Sequence, residues 1–565
     1  MDPSAETDPV AEVDKKQAVE DVSELFQPRP PRSWDYWLVL LVAVVPIWSV
    51  MPVSWGYVLY ILWFGQVWTL GWKGRVGLVI SLAEVCFSVY HYQLARYVGG
   101  PCVLGPGNLT ELQAGFKRIL QSGMAGLPEH GCDEEDVGRP GSPEEEIITL
   151  HPSDPRAIDF RNYLRTWFSR STWSSIRKHE MYQWIHWAIF NAPFESREQL
   201  SEARRVLLDE VMESIEKRAG SKIPEGSNPE ARPLRLTLDP VTVVPRPFVW
   251  YLGVALSNSY HRRHFEARWG CKFGTHDGLE SVSYIHTISR LKIYAYPNHS
   301  YLLRIPRNAK RDAAPVVFLH GLGLGLTQYK IFISHLLKAI PDRPVLVPLQ
   351  PHVSQEIFHP RFLRPMGRHE SAKALAGLLL DLGWVNQPTD ESEPEDASRV
   401  EKPGVAVVSH SNGSFLHAWL LKEHPRMVAR SCFVDPVTFC SWEGDLCYNF
   451  IYRPATSGLE LVMKYFVGTE LGVANFLQRH FDWNANALWY EQIPNARDPH
   501  KARFFLGGQD AIVDAERVKR YLTSHGIREG LWFDPDGHHG QALLTGGKGH
   551  TEILRWLAEK ETQAQ

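Results

Sequence analysis

The chain is poor in cysteine and nearly balanced in charge. Seven cysteines in 565 residues, an odd number with no regular spacing and no CxxC pair, fit a reducing compartment and give no zinc-site pattern. Lys and Arg number 60 against 64 Asp and Glu, a formal charge of −4, so no basic excess points to nucleic acid. No internal repeat is found, and no metal or organic cofactor is implied. Aromatic residues are what the chain has in excess: 20 Trp, 20 Tyr and 25 Phe. Tryptophan favours places where an apolar body meets a wet edge, membrane interfaces among them.

Charge is almost missing from residues 34–72, where Asp35 at the very start is the only charged side chain. A span takes about 20 residues, so this stretch is long enough for two short spans turning near Met51 to Trp55, where Pro52 and Gly56 break the helix. A cleavable signal peptide is not expected, because the first 33 residues are acidic, the apolar stretch is too long and no small-residue cleavage site follows. Arg29 and Arg32 precede the stretch, Lys73 and Arg75 follow it, and the turn carries no basic residue. By the positive-inside rule both ends, and the domain beyond, face the cytosol. Residues 76–98 form a further membrane-associated helix whose Ser81, Glu84, Ser88 and His91 make one narrow stripe. It reads as interfacial or protein-packed, since an unpaired Glu84 in mid-bilayer would cost about 2.5 kcal/mol or more. As a third span it would place the domain in the lumen and open the sequons at Asn108 and Asn298 to glycosylation.

The chemistry concentrates in PGVAVVSHSNGSFLHAWLL, residues 403–421. A β-branched run, Val405 to Val408, leads through one sharp turn at Ser411 into an apolar helix. A hydroxyl is a useful nucleophile only when it is exposed, close to a base and beside donors for the oxyanion it creates. A strand-turn-helix apex meets these needs, with the backbone N–H of Asn412 aimed at the reacting oxygen. The residues two before and two after the apex approach closely and must be small; here they are Ser409 and Gly413, where the common G-x-S-x-G pattern has glycine at both. An ordinary β-to-α turn is the bland alternative.

Upstream, PVVFLHGLGLGL (315–326) is a buried strand ending in a glycine loop. Downstream, ARFFLGGQDAIVD (502–514) is a strand, a Gly-Gly turn and an acid, and GLWFDPDGHHGQALL (530–544) is a short strand ending in a histidine loop. With the Ser411 turn, these four segments in this order resemble the α/β-hydrolase family, and within it fungal-type membrane-anchored members of unassigned substrate. The resemblance implies a doubly wound, mostly parallel α/β sheet and a Ser-Asp-His triad of Ser411, Asp510 and His539. It implies an oxyanion hole from the N–H groups of Leu322 and Asn412, supported by His320, Gly321, Gly323 and Gly413. Asp435, after the preceding strand, competes for the acid's role; Asp514 opens the next helix and reads as its N-cap. His538 stays open beside His539.

The expected layout is a disordered acidic N-terminus (1–33), a membrane anchor (34–98), a helical and linker region (99–285) and the hydrolase domain (286–565) with an aromatic lid at 436–494. Residues 99–285 carry no nameable chemistry. They include Trp167, Trp173, Trp184 and Trp187, which would pack on the hydrolase or graze the bilayer, and an amphipathic helix at 196–220 with a capping box at Ser196 and Gln199 and one face of Leu200, Ala203, Leu207, Val211 and Ile215. The acidic run 389–402 reads as a solvated loop. The function that follows is a membrane-anchored serine hydrolase cleaving a small-molecule or lipid-like ester beside a bilayer. A membrane acyltransferase using the same acyl-enzyme and a non-catalytic scaffold are the alternatives.

Overall fold

The structure, a computed structural model, describes residues 30–102, 104–121, 147–276, 299–309, 313–386, 402 and 404–559. Asn298, the N-terminal stretch to residue 29 and the acidic run through residue 401 lie outside these residues. Helix α1 runs from Trp34 to Trp63 and α2 from Trp72 to Val98, and both are long and apolar enough to cross a membrane. The expected turn near Met51 to Trp55 is not there. α1 carries Pro52 in its interior, and a π turn at Leu40–Val44 sits just ahead of Pro46, where a widened turn absorbs the missing N–H. The hairpin turn falls instead at residues 64–71, which moves Lys73 and Arg75 from beyond the apolar helix pair to its tip. Basic residues then stand at both ends of the helices, and the positive-inside count no longer orients them.

The two helices pack on each other: Trp55 Nε1 donates to Ser88 Oγ at 2.9 Å, and Tyr57 OH to the Gly74 carbonyl at 3.2 Å. The polar stripe of α2 faces protein. Ser81, Glu84, Ser88 and His91 are all buried, and Glu84 accepts the N–H of Phe248 at 2.9 Å.

In the region that follows, α3 (Lys178–Phe190) and α4 (Glu202–Ala219) form part of the main core. α4 begins later than the sequence suggests, after a 3₁₀ turn at Arg197–Gln199, and Ser196 makes no side-chain cap. Its buried face is Leu208, Met212, Ile215 and Ala219; of the expected stripe, Ile215 is buried, Leu200, Leu207 and Val211 pack half-buried against the same core, and Ala203 is exposed. Both stripes have helical spacing, so only the partner surface separates them. Trp167, Trp173, Trp184 and Trp187 are all buried; Trp167 Nε1 donates to the Trp442 carbonyl at 2.8 Å, far along the chain.

Eight strands form one sheet: β1 (Lys272–His276), β2 (His299–Arg304), β3 (Val316–Leu319), β4 (Val345–Leu349), β5 (Val405–His410), β6 (Val428–Val434), β7 (Ala502–Gly507) and β8 (Leu531–Asp534). Their spatial order is β1-β2-β4-β3-β5-β6-β7-β8. β2 is antiparallel to both its neighbours and every other pair is parallel. The central strands are apolar on both faces, as helices on both sides require. Val316 and Phe318 pack toward α5 (Phe248–Trp269) and α6 (Leu326–Ala339), while Val317 and Leu319 join the core that holds α7 (Arg368–Asp381) and α8 (Gly413–Glu423), the period-2 alternation of a strand. The sheet starts at Lys272, ahead of the boundary expected at 286. β1 has one bulky apolar residue, Phe273, and only its pairing with β2 makes it a strand.

Between β6 and β7 lies the insertion expected at 436–494, with α9 (Gly458–Met463) and α10 (Leu471–Arg479). α1 packs along α9 through Tyr36 and Val44 against Leu461 and Tyr465, and Asp35 accepts the N–H of Gly458 at 2.7 Å. Arg479 ties three parts together, donating to the carbonyls of Val98 and Gly100 at the end of α2 and of Thr237 and Asp239.

A second knot lies at Arg517 on α11 (Ala515–Ser524), which bonds Glu443 of the insertion at 2.8 Å and Asp159 of the N-terminal region at 2.7 Å. All three side chains are largely shielded from solvent. Arg517→Met removes the buried cation that bridges the two carboxylates, so we expect a loss of about 3–5 kcal/mol. It reads out as a lowered thermal midpoint in detergent, restored in large part when Glu443→Gln and Asp159→Asn are added. A midpoint unchanged by Arg517→Met alone would show that the knot contributes nothing.

Candidate active site

Strand β5 ends at His410, and Ser411 follows with φ 51°, a left-handed conformation costly for a residue with a side chain. Close packing holds it there. A Cβ on Gly413 would lie 2.2 Å from the Leu319 carbonyl oxygen, and one on Gly321 would lie 2.9 Å from the Ser411 Cβ. Glycine at these two positions lets the turn press against the loop after β3. The Ser411 N–H donates to the Val434 carbonyl at 3.0 Å, and Ser414 Oγ to the Ser411 carbonyl at 2.7 Å.

Ser409 takes the place of the usual glycine because its hydroxyl has a partner behind the turn. Its Oγ lies 2.9 Å from His417 Nδ1, and His417 Nε2 lies 3.1 Å from Ser431 Oγ. Burial drives the His417 pKa down to about 3, so this ring stays neutral, one nitrogen donating and the other accepting. The chain departs from the glycine pattern by filling that space with a polar bridge.

Ser411 Oγ lies 2.9 Å from His539 Nε2, and His539 Nδ1 lies 2.6 Å from Asp510 Oδ2. Asp510 Oδ1 accepts the N–H groups of Ile512 and Val513 at 2.7 and 3.1 Å, which fixes the carboxylate and presents its other oxygen to the ring. The Asp510 side chain is 1% exposed and His539 13%, so the relay is shielded. Burial disfavours the imidazolium, but the Asp510 charge and hydrogen bond, with Asp435 behind them, outweigh it and hold His539 above the usual imidazole range. Asp435 makes no hydrogen bond to the ring. It accepts the N–H of Gly507 at 3.0 Å and of Gly540 at 2.7 Å, bracing the loop that carries His539, and burial pushes its own pKa up. His538 points away and is exposed, with Nδ1 3.2 Å from the Gln509 carbonyl.

Two backbone N–H groups of the site are uncommitted. Among the described residues the N–H groups of Leu322 and Asn412 have no acceptor, and both residues line a cavity with Ser411. Gly321 cannot serve, because its N–H is bonded to Tyr329 OH at 3.0 Å. Gly323, at φ +144°, is the loop's second required glycine. His320 is buried and structural: Nδ1–H donates to the Gly321 carbonyl and Nε2 accepts the N–H of Gln350. The cavity is about 50 Å³, and its walls are apolar, including Leu236, Phe415, Val437, Leu446 and Phe450.

Two neighbours of the site are not legible from the sequence. Tyr329 OH donates to His410 Nδ1 at 2.7 Å, and the His410 ring lies 5.3 Å from that of His539, holding up the loop from below. Leu236, from the region without nameable chemistry, forms part of the cavity wall.

No family model matches the chain, and no curated protein matches its sequence. Solved structures similar to it include a bacterial membrane phospholipase A described as a virulence factor (13% identity, 55% of this chain and 92% of that one, TM-score 0.33). Others are a carboxylesterase from Bacillus subtilis (10%, 54% and 98%, TM-score 0.32) and an esterase from Mycobacterium marinum (16%, 55% and 88%, TM-score 0.32). The chain's own strand order, with the sharp Ser411 turn after β5, gives it the α/β-hydrolase fold.

Proposed function

We propose that the chain is a membrane-anchored serine hydrolase that cleaves a lipid-like ester through an acyl-enzyme. The observation that carries this is the contiguous series Ser411 Oγ, His539, Asp510, with contacts of 2.9 and 2.6 Å, beside two uncommitted N–H groups. Ser411 Oγ attacks the ester carbonyl while His539 Nε2 takes its proton. Asp510 holds the ring in the tautomer that accepts at Nε2 and stabilises the imidazolium. The N–H groups of Leu322 and Asn412 hold the oxyanion. Collapse expels the alcohol, which takes the proton from His539; water, activated by the same ring, then releases the acid.

Three features support a substrate from the bilayer. The cavity walls beside Ser411 are apolar. Exposed tryptophans stand at both ends of α1, Trp34 and Trp37 at one and Trp63 and Trp68 at the other, with Trp48 and Trp55 between them. Trp37 and Trp63 are about 39 Å apart at 1.5 Å per residue, close to the bilayer thickness of about 40–45 Å between headgroup regions where tryptophan concentrates. A groove beside α9, the element against which α1 packs, shares Phe450 and Ile512 with the cavity at Ser411.

The test is fluorophosphonate labelling of membranes that contain the full chain, followed by ester turnover with water and with alcohol as acceptors. Labelling with release of free acid is expected; ester product with alcohol alone would mark an acyltransferase, and no labelling would leave a scaffold. With two helices, both ends of the hairpin lie on one side with the hydrolase domain. Protease added to sealed vesicles assigns that side: digestion of the domain would put it in the cytosol, and full protection would put it in the lumen.

A further inference from the structure

The helical region ahead of the sheet walls a second, larger chamber of about 470 Å³. One side is the 104–107 loop with Trp187 and Ala188 of α3; the other is the end of α10 and the turn beyond it, including Phe476 and Phe481. Phe481 also lines the cavity at Ser411, so this one ring stands between the two spaces. Two helices run past both. α8 gives Phe415 to the catalytic cavity and Trp419, one turn on, to the chamber; α10 gives Leu477 to the first and Phe476 to the second. Four residues of helix advance about 6 Å, so an alkyl chain leaving the Ser411 carbonyl along α8 meets Phe481 and then the chamber.

Size points the same way. Pockets that enclose a whole small ligand run from about 300 to 1,000 Å³. The catalytic cavity, about 50 Å³, is far smaller than this and also has to hold the reacting carbonyl and the leaving alcohol, whereas the chamber falls within the range. The groove beside α9 meets that cavity at Phe450 and Ile512 on the α1 side, which leaves the chamber, met at Phe481, as the space for the part of a long substrate that has passed Ser411.

We propose that the chamber takes the distal half of a long acyl chain and that Phe481 gates it, making the N-terminal helical region part of the enzyme's specificity. This rests on Ser411 being the nucleophile. It also gives residues 99–285 a chemical task, since Trp187 and Ala188 belong to them.

The test is a series of p-nitrophenyl esters from butyrate to palmitate, turned over by the full-length protein in detergent micelles, with kcat/KM as the readout. Phe481→Trp, which narrows the gate, is expected to lower the palmitate-to-butyrate ratio about tenfold, the scale on which pockets discriminate by chain size. Ala188→Leu, which fills the chamber from the far wall, is expected to lower it similarly, and Phe481→Ala to raise it. A merely structural role would move both esters together and leave the ratio alone. Ratios within about twofold of wild type in all three variants, with fluorophosphonate labelling retained, would overturn the proposal. So would a dependence that appears when the alcohol chain is lengthened instead of the acyl chain. Wild type that neither labels nor cleaves any of these esters would instead sink the nucleophile assignment itself.

Discussion

Ser411→Ala is expected to abolish fluorophosphonate labelling and to lower ester turnover by about 10⁴–10⁶, leaving a remnant from binding and the oxyanion donors. The substitution is a clean one here. It removes a single oxygen that bonds His539 and leaves the Cβ that presses against Gly321. Alanine at φ 51° is strained to about the same degree as serine, and the turn stays clamped by the N–H bond to Val434 and by Gly413 under Leu319. Thermal unfolding should therefore be unchanged within about 0.5 kcal/mol. A variant that keeps wild-type labelling would move the nucleophile elsewhere. One that loses both labelling and its unfolding transition would show that the turn itself needs the hydroxyl.

The same turn shows why the site was largely legible in the sequence while its surroundings were not. Ser411, Asp510 and His539 each sit where a strand ends in a turn that needs particular residues, and such signals are local: a β-branched run, Gly-Gly before an acid, a glycine after a histidine. Leu322 and Asn412 follow from the same loops. What the sequence left open was decided by contacts distant in the chain. His538 and His539 are neighbours with equal local claims, and only the approach of Asp510 distinguishes them. Asp435 looks like a competing acid because it too follows a strand, yet its oxygens are taken by Gly507 and Gly540.

The two apolar helices and the N-terminal region show the opposite balance. Pro52 and Gly56 are strong local breakers, and they suggest a turn that does not occur, because the pairing of α1 with α2 keeps the helix continuous across them. The stripe Ser81, Glu84, Ser88 and His91 was visible as a stripe, but its partner, the start of α5 at Phe248, lies more than 150 residues on. β1 has too little pattern to be seen without β2. Leu236 and Ala188 have no sequence mark as cavity residues at all. They acquire that place only because Arg479 and the buried tryptophans bring the helical region against the insertion.

The two carboxylates near His539 should respond very differently to the same change. Asp510→Asn is expected to lower kcat/KM by about 10⁴. Its Oδ1 position is held by the N–H groups of Ile512 and Val513, so an amide there turns its NH₂ toward His539. Nδ1 must then accept, the proton moves to Nε2, and the ring can no longer take a proton from Ser411. Asp435→Asn keeps the tautomer and loses one brace on the loop, because an amide has a single acceptor oxygen for two N–H groups. Misplacing the ring by a fraction of an ångström costs between about 10 and 100-fold. The pH profile separates the two roles more sharply than the rates do. Catalysis needs neutral His539, and the Asp435 charge helps to hold that ring's pKa up against burial. Removing the charge lowers the pKa, so the acidic limb of kcat/KM should move to lower pH in Asp435→Asn even as the plateau falls. A limb that stays in place would mean that Asp435 acts on the loop alone, and equal losses for the two variants would mean that the acid's role is shared between them.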